Sequence, residues 1–486
     1  MADYKEENSY RTILRRISAF GGVQLFNILI SLVRGKFVAL FLGPSGMGVS
    51  ALFTSSTTTI QQFASLGINL ALVKEVAAEK DNPARLPHVM AVTLRLILLT
   101  SILGAAVCAL GAPFWSLLTF GDYSYTIPFI LLALSVALSI AGAGYLAILQ
   151  GLGSVSRLAK SSLVGGLAGL FCGVPLYWLF GVDGIVPAMI ILSLATFLFY
   201  YISFRTERRP EAERVAFSWR QHAPLVKKLI TFGLLMMVAS LAGTTVNYLI
   251  NLFVRSFGSV SDVGLFQAAN SLTNQYMGVV FSALAMDYFP RLSAVASDGT
   301  RLKEVVNRQV EIVMLIATPL ALLLTTSAPL IIRILLTSEF LPVLPVMRWM
   351  GLGILIQALA FPIGYIYIAR EDRKAYIWME AVMTNIIWFL SSAGFYYFLG
   401  LIGLGVSLVA RGALELAINY LVCRHRYGFT FSPRIAATVA ISLTLGTCGF
   451  AVSLSSVPAA LILSLSILAL SLLFSLFRLR RLLKQC

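Results

Sequence analysis

Charge is what this chain has least of. Only 12% of its 486 residues are Asp, Glu, Lys or Arg, against 58% hydrophobic, whereas a soluble domain carries about 25% charged residues. The mean hydropathy is +0.86. Acidic residues are scarcer than basic ones, 21 against 37. There are three histidines (His88, His222, His425), placed in polar connections, and five cysteines (Cys108, Cys172, Cys423, Cys448, Cys486) without motif spacing. Cys108, Cys172 and Cys448 read as small buried hydrophobes in apolar helices. The sequence has no HExxH, CxxC, P-loop or GxSxG pattern, which argues against a metal or nucleophile enzyme and against ATP-driven transport. No cleavable signal peptide is visible ahead of the first apolar span. No connection on the side poor in Lys and Arg is long enough to fold as a domain.

What remains is a series of apolar segments about 20 residues long, without alternation, which predicts an all-α polytopic membrane protein rather than a β-barrel. The spans fall at about 17–42, 46–72, 89–111, 125–149, 160–181, 184–204, 229–254, 263–286, 309–337, 346–369, 376–397, 402–422, 435–455 and 458–477, about 14 transmembrane helices. With the N-terminus in the cytoplasm, 30 of the 37 Lys and Arg lie in cytoplasmic connections and three (Arg255, Arg333, Arg348) outside. This is the positive-inside pattern. It accounts for the net charge of +16 without a nucleic acid, and it puts both termini in the cytoplasm. The expected organisation is an N-terminal lobe of six helices (1–204), a basic cytoplasmic linker (205–228), a second six-helix lobe (229–422), and an extra helix pair with a basic tail (423–486).

An internal repeat relates the lobes. FVALFLGPSGMGVSALFTSSTTT (37–59) and LFVRSFGSVSDVGLFQAANSLTN (252–274) each end an apolar helix at Gly43 or Gly258. Each turns through small residues and enters a helix dense in Ser, Thr, Asn and Gln. Both lobes start inside, so they are like-oriented, and a transporter so built has its site at the central cavity between them. Candidate linings are Ser55, Thr58, Gln62, Ser65 and Asn69, then Thr244, Asn247 and Asn251, then Gln267, Asn270, Ser271 and Asn274. Each residue taken alone also suits hydrogen-bonded helix packing.

Four cations fall inside spans: Arg34, Lys36, Arg95 and Arg411. Each costs roughly 2.5–3.5 kcal/mol at a helix centre on insertion scales. Arg34 and Lys36 lie roughly 9–13 Å in from Gly43, too deep for easy snorkelling. Arg95 can snorkel, as can Asp287 and Glu380, and Arg411 can pair with Glu415 at i+4. Unpaired cations in a hydrated cavity suit a phosphate or pyrophosphate. Glu380, Glu415 and Asp287 are candidates for proton or sodium coupling. No other cofactor or metal is expected.

GKFVALFLGPSGMG (35–48), ASLGINLALVKEVAA (64–78), MDYFPRLSAVA (286–296) and AYIWMEA (375–381) resemble the polysaccharide-transporter branch of the multidrug/oligosaccharidyl-lipid/polysaccharide (MOP) exporter superfamily, and within it the O-antigen and lipid III flippases. The resemblance covers most of residues 15–425. It implies a flippase of the bacterial inner membrane that moves an undecaprenyl-pyrophosphate-linked oligosaccharide, of O-antigen repeat-unit type, to the periplasmic leaflet by alternating access. Lys36 matches the lysine of the family's GK…LGPxGxG segment and Glu380 its glutamate. Polysaccharide polymerase and chain-length proteins are the implied partners. The extra pair 435–477 departs from twelve-helix relatives; it is either a lipid-tail element, as in fourteen-helix lipid II flippases, or a peripheral addition. Two other readings compete. A drug or cation antiporter of the same fold would show acidic rather than basic cavity residues. A membrane enzyme acting on lipid-linked sugars would want a large outer loop, and the longest, about 112–124, has one carboxylate, Asp122.

Overall fold

A computed structural model describes residues 2–207, 218–455 and 459–483, and describes the backbone but not the side chains at 2–25, at 27 and at some positions of α6, α8, α9 and α16. Every long element is a helix: α1 (Ala2–Ala64), α2 (Ile68–Glu79), α3 (Leu86–Leu110), α4 (Ala112–Phe120), α5 (Thr126–Gly151), α6 (Val155–Phe180), α7 (Ile185–Glu207), α8 (Trp219–Phe257), α9 (Val260–Ala294), α10 (Gly299–Leu335), α11 (Val343–Ala369), α12 (Arg373–Tyr376), α13 (Thr384–Leu399), α14 (Leu401–Tyr427), α15 (Pro433–Leu454) and α16 (Ala460–Leu483). Of the expected linker, 205–207 end α7, Ser218 is non-helical, and 219–228 open α8.

By length and apolarity ten of the described helices can cross a bilayer, or eleven when the pair Trp219–Val238 and Ser240–Phe257, bent by 42°, counts as one. The difference from fourteen has local causes. Ile28–Ala64 and Val164–Thr206 run for 37 and 43 residues, far beyond the ~20 that cross ~30 Å of hydrocarbon. Each is broken where a turn is expected, at Gly43 (φ 61°) and Gly181 (φ 55°). Such positive φ is cheap for glycine alone, and Pro44 follows Gly43 without needing a backbone donor. The expected span 263–286 lies within α9, which is not among the ten.

The chain forms two compact units, 1–248 and 249–486. In the first, α3, α5 and α7 pack in series and α6 lies against α1 and α7. One end is filled by Phe53, ringed by Phe120, Tyr125 and Phe129 at centroid distances of 5.0–5.8 Å. Such edge and tilted pairs add about 0.5–1.5 kcal/mol each beyond burial.

In the second unit α11 is central, packed on α9, α10, α14 and α15. Small residues allow it: a Cβ at Gly353 would sit 2.8 Å from the Leu408 side chain, and one at Gly405 2.8 Å from the Val346 carbonyl. The extra pair is integral to this unit. α15 and α16 both pack on α10, and Arg478 of α16 reaches Glu311 of α10 at 2.9 Å and Thr438 of α15 at 2.8 Å. Cys108 is buried, as expected, but Cys172 and Cys448 are exposed, on helices whose outer faces are apolar.

The two repeated turns are built differently. Gly43 supplies a positive φ. Gly258 supplies space: a Cβ there would meet the Tyr396 hydroxyl at 1.7 Å, where Tyr396 donates to Asp262 Oδ2 at 2.8 Å. Ser259 caps α9 by accepting from the Asp262 N–H at 3.1 Å.

Candidate functional site

The second unit contains a cavity of about 410 Å³ between α11, α14 and the helix running from Arg373 to Leu399. In that helix Ile377–Met383 is a π-helical turn, a local widening frequent at functional sites. It carries Glu380 into the cavity. Asn385 stitches the widened turn by donating to the Glu380 and Ala381 carbonyls at 3.2 and 3.0 Å. Gly364 of α11 keeps the opposite wall open, since a Cβ there would lie 3.4 Å from Glu380 Oε1.

Arg411 and Glu415 line the same cavity with Gln357, Tyr365 and Asn419. One helical turn apart, they pair as their spacing implies: Arg411 Nε donates to Glu415 Oε1 at 2.7 Å. The guanidinium also lies 4.7 Å from the centre of the Trp388 ring, a cation–π contact. Their side chains are 17% and 13% exposed. The cavity therefore holds two carboxylates and one guanidinium. Arg411, expected among the anion-binding cations, is paired with Glu415 of its own helix, the structural pairing that its spacing also allowed. Glu380, which snorkelling could have explained, instead shares a cavity with this pair.

The first unit handles its cation differently. Arg34 is half-buried in α1 and points at α6: a Cβ at Gly169 would lie 3.2 Å from an Arg34 terminal nitrogen. Tyr177, two turns further along α6, is within electrostatic reach of it. Among the described residues Arg34 has no carboxylate partner. Lys36 is half-buried on the same helix. Arg95 is exposed on α3, on the face of Leu98, Leu99 and Ile102, a setting that suits snorkelling.

The polar stripes divide. Ser55 is 6% exposed, with its hydroxyl turned to the Leu52 carbonyl at 3.2 Å. Asn251 is 1% exposed. Both are buried in this structure, and Asn251 Oδ1 has no hydrogen-bond partner among the described residues. Ser65 is buried and donates to the Gln62 carbonyl. Thr58, Asn69, Thr244, Asn247, Gln267, Asn270 and Ser271 are half-buried. Gln62 donates to Ser240 Oγ, and Thr244 turns its hydroxyl to the Ser240 carbonyl at 3.2 Å. The side chains of Asn274 and Asp287 lie outside the described residues.

Some polar residues escaped the sequence reading because their partners are remote. His88 and His222, expected in connections, stand in the first turns of α3 and α8 with Nδ1 and Nε2 3.0 Å apart. Glu311 is buried against Arg478.

Comparison with known proteins agrees with this architecture. The family described as polysaccharide biosynthesis protein matches residues 37–345. The lipid III flippase of Escherichia coli (strain K12) is 25% identical over 371 residues, 75% of this chain and 86% of that protein. A Shigella flexneri protein named "Putative O-antigen transporter" is 23% identical over 315 residues, 63% of this chain and 72% of its own length. Among solved structures, the lipid II flippase MurJ in an inward closed conformation superposes with a TM-score of 0.73 at 14% identity, over 96% of this chain and 99% of that one. An inward-facing multidrug resistance MATE family transporter of the MOP superfamily gives 0.68 at 16% identity, over 84% and 98%. At such identities the structural likeness is one of fold.

Proposed function

The chain belongs to the polysaccharide biosynthesis protein family, in the polysaccharide-transporter branch of the MOP superfamily, and from that premise we propose that it is a flippase for lipid-linked oligosaccharide. The cargo is an undecaprenyl-pyrophosphate-linked repeat unit of O-antigen type. It is carried from the cytoplasmic to the periplasmic leaflet of a bacterial inner membrane by alternating access between two like-oriented lobes. The similarity to the lipid III flippase supports the cargo class.

The observation that carries the reading to residues is Arg34, a cation inside a spanning helix with no carboxylate partner among the described residues. Such a charge is costly unless it meets water or an anion. A guanidinium binds a phosphate through two parallel donors. Arg34 is the pyrophosphate contact and Lys36 supports it as a point charge. The half-buried residues Thr58, Asn69, Asn247, Gln267 and Asn270 offer hydrogen bonds to sugar hydroxyls. The acidic cavity of the second unit does other work: Glu380 and Glu415 take up a proton or sodium ion whose gradient drives the cycle. A cation antiporter would place its cargo in that acidic cavity and leave Arg34 without a task. Polysaccharide polymerase and chain-length proteins are the partners that consume the product.

The test is lipid-linked oligosaccharide accumulation in a flippase-deficient bacterial host. The intact chain is expected to clear the cytoplasm-facing intermediate, and Arg34→Ala at equal expression is expected to leave it. Clearance by both would remove Arg34 from the site. Accumulation with both, across a panel of repeat-unit types, would remove the flippase reading. For coupling, Glu380→Gln, which leaves the Arg411–Glu415 pair in place, should abolish dependence on an ion gradient.

A further inference from the structure

The first half of α8 is fastened to α2 and α3 by contacts that a reversible closure would use. Lys228 Nζ lies 2.9 and 2.7 Å from the two carboxylate oxygens of Glu75. His222 Nδ1 is 2.9 Å from the Ser218 carbonyl oxygen. That oxygen can only accept, so Nδ1 carries the hydrogen and Nε2 is left to accept from His88 Nδ1 at 3.0 Å. Lys74 Nζ stands 4.8 Å from the centre of the Phe232 ring. Between these contacts the two backbones touch. A Cβ at Gly67 would lie 2.2 Å from the Gly233 carbonyl oxygen, and one at Gly233 would lie 2.6 Å from the Leu66 carbonyl oxygen. The crossing is made possible by the break between α1 and α2, where Leu66 and Gly67 have φ of 50° and 62°.

The composition of this contact separates it from a permanent core. Of α8, Leu229 is fully buried in the apolar cluster with α2, α3 and α5, while Leu225, Val226, Ile230 and Phe232 are only partly buried. The ion pair is wet on one side: the Lys228 side chain is 63% exposed and Glu75 11%. Water already reaches the Lys228 side of the ion pair, while Glu75 and His222 are buried in the closed arrangement.

We propose that the Glu75–Lys228 and His88–His222 pairs form a latch that closes one mouth of the carrier, and that α8 swings away from α2 and α3 at this end when the mouth opens. The inference deepens the alternating-access reading and rests on it. By the distribution of Lys and Arg this is the cytoplasmic mouth. The glycine pair acts as the stop against which the closed helix rests, and the two polar pairs hold it there.

The test uses spin labels at Ala84→Cys and Arg220→Cys, outside the latch, in the full chain with its five cysteines replaced. Distances are measured by pulsed electron resonance in lipid nanodiscs, so no cargo is required. Two distance populations are expected. Glu75→Gln should raise the longer one at least threefold, and His88→Phe should raise it less. A single short distance in all three proteins would overturn the latch and make α8 a fixed strut of the first unit. Loss of the flippase reading would look different: the intact chain would fail to clear the intermediate while both distances persisted.

Discussion

Arg34 and Arg411 are both guanidinium groups inside spanning helices, one in each unit, and the units treat them in opposite ways. Arg411 has Glu415 one turn away and Trp388 beneath it. Its charge is spent on holding a helix face together. Arg34 faces α6 across Gly169 with no carboxylate among the described residues. On the proposed reading, the paired cation is a structural charge and the half-buried one is the charge kept for a ligand. The second unit's cavity also holds Glu380 beside that pair.

The largest effect that would sharpen this contrast is on stability. Arg411→Ala leaves Glu415 buried without its partner, and breaking a buried pair costs about 3–5 kcal/mol. A thermal melt in detergent should show a marked fall, with much of it recovered in the double variant Arg411→Met, Glu415→Leu. A double variant no more stable than the single one would mean that the pair is not what makes Arg411 structural. Arg34→Ala should do the reverse. Its melt should stay level or rise, while oligosaccharide clearance falls ten- to a hundredfold, the ~1.5–3 kcal/mol of a charged hydrogen bond. If the melt collapses as well, Arg34 is structural and the contrast between the units is lost.

Next in size come the repeated turns. Gly258→Ala must displace the Tyr396 hydroxyl from Asp262 and should cost about 1–3 kcal/mol. Gly43→Ala puts a side chain on a backbone at φ 61°, ψ −171°, a region essentially confined to glycine, and should cost about 1–3 kcal/mol. Removing the hydroxyl with Tyr396→Phe should rescue little at Gly43 and part of the loss at Gly258. The smallest effect lies outside the membrane. Asp372 accepts from the Ala375 N–H at 3.0 Å, from the Tyr427 hydroxyl at 2.8 Å and from Arg426 at 2.6 Å, and these donors, the backbone N–H first, hold its carboxyl below the usual range. A depressed carboxyl stabilises the fold above its unfolded value of about 3.9; that contribution is lost as pH falls through the lower folded value. Asp372→Asn should flatten the acid limb of a melting curve slightly. An unchanged limb would show that this exposed corner contributes nothing measurable.

The local devices were the ones legible in the chain. Gly43 with Pro44, the i,i+4 pair Arg411–Glu415 and the run of apolar spans all act over one or two turns, so order along the chain reveals them. The contacts 134 and 153 residues apart, His88–His222 and Lys228–Glu75, were not legible, because nothing local signals which helix ends meet. Ser55 shows a related limit. Its spacing defines a face of α1 but not whether that face meets water or another helix, and its hydroxyl is satisfied by its own backbone. Glu380 was readable as an acid inside a span; the π-helical turn that carries it into the cavity was not, since a widening of one residue has no compositional mark.

The central claim is that Arg34 holds the pyrophosphate of a lipid-linked cargo. Its most direct measurement is calorimetric titration of the purified chain, in lipid nanodiscs, with a short-chain prenyl pyrophosphate. The intact protein should bind, Arg34→Ala should bind at least tenfold more weakly, and Arg34→Lys should fall between them. Equal affinity in the intact protein and Arg34→Ala would contradict the account and leave Arg34 without a function in it.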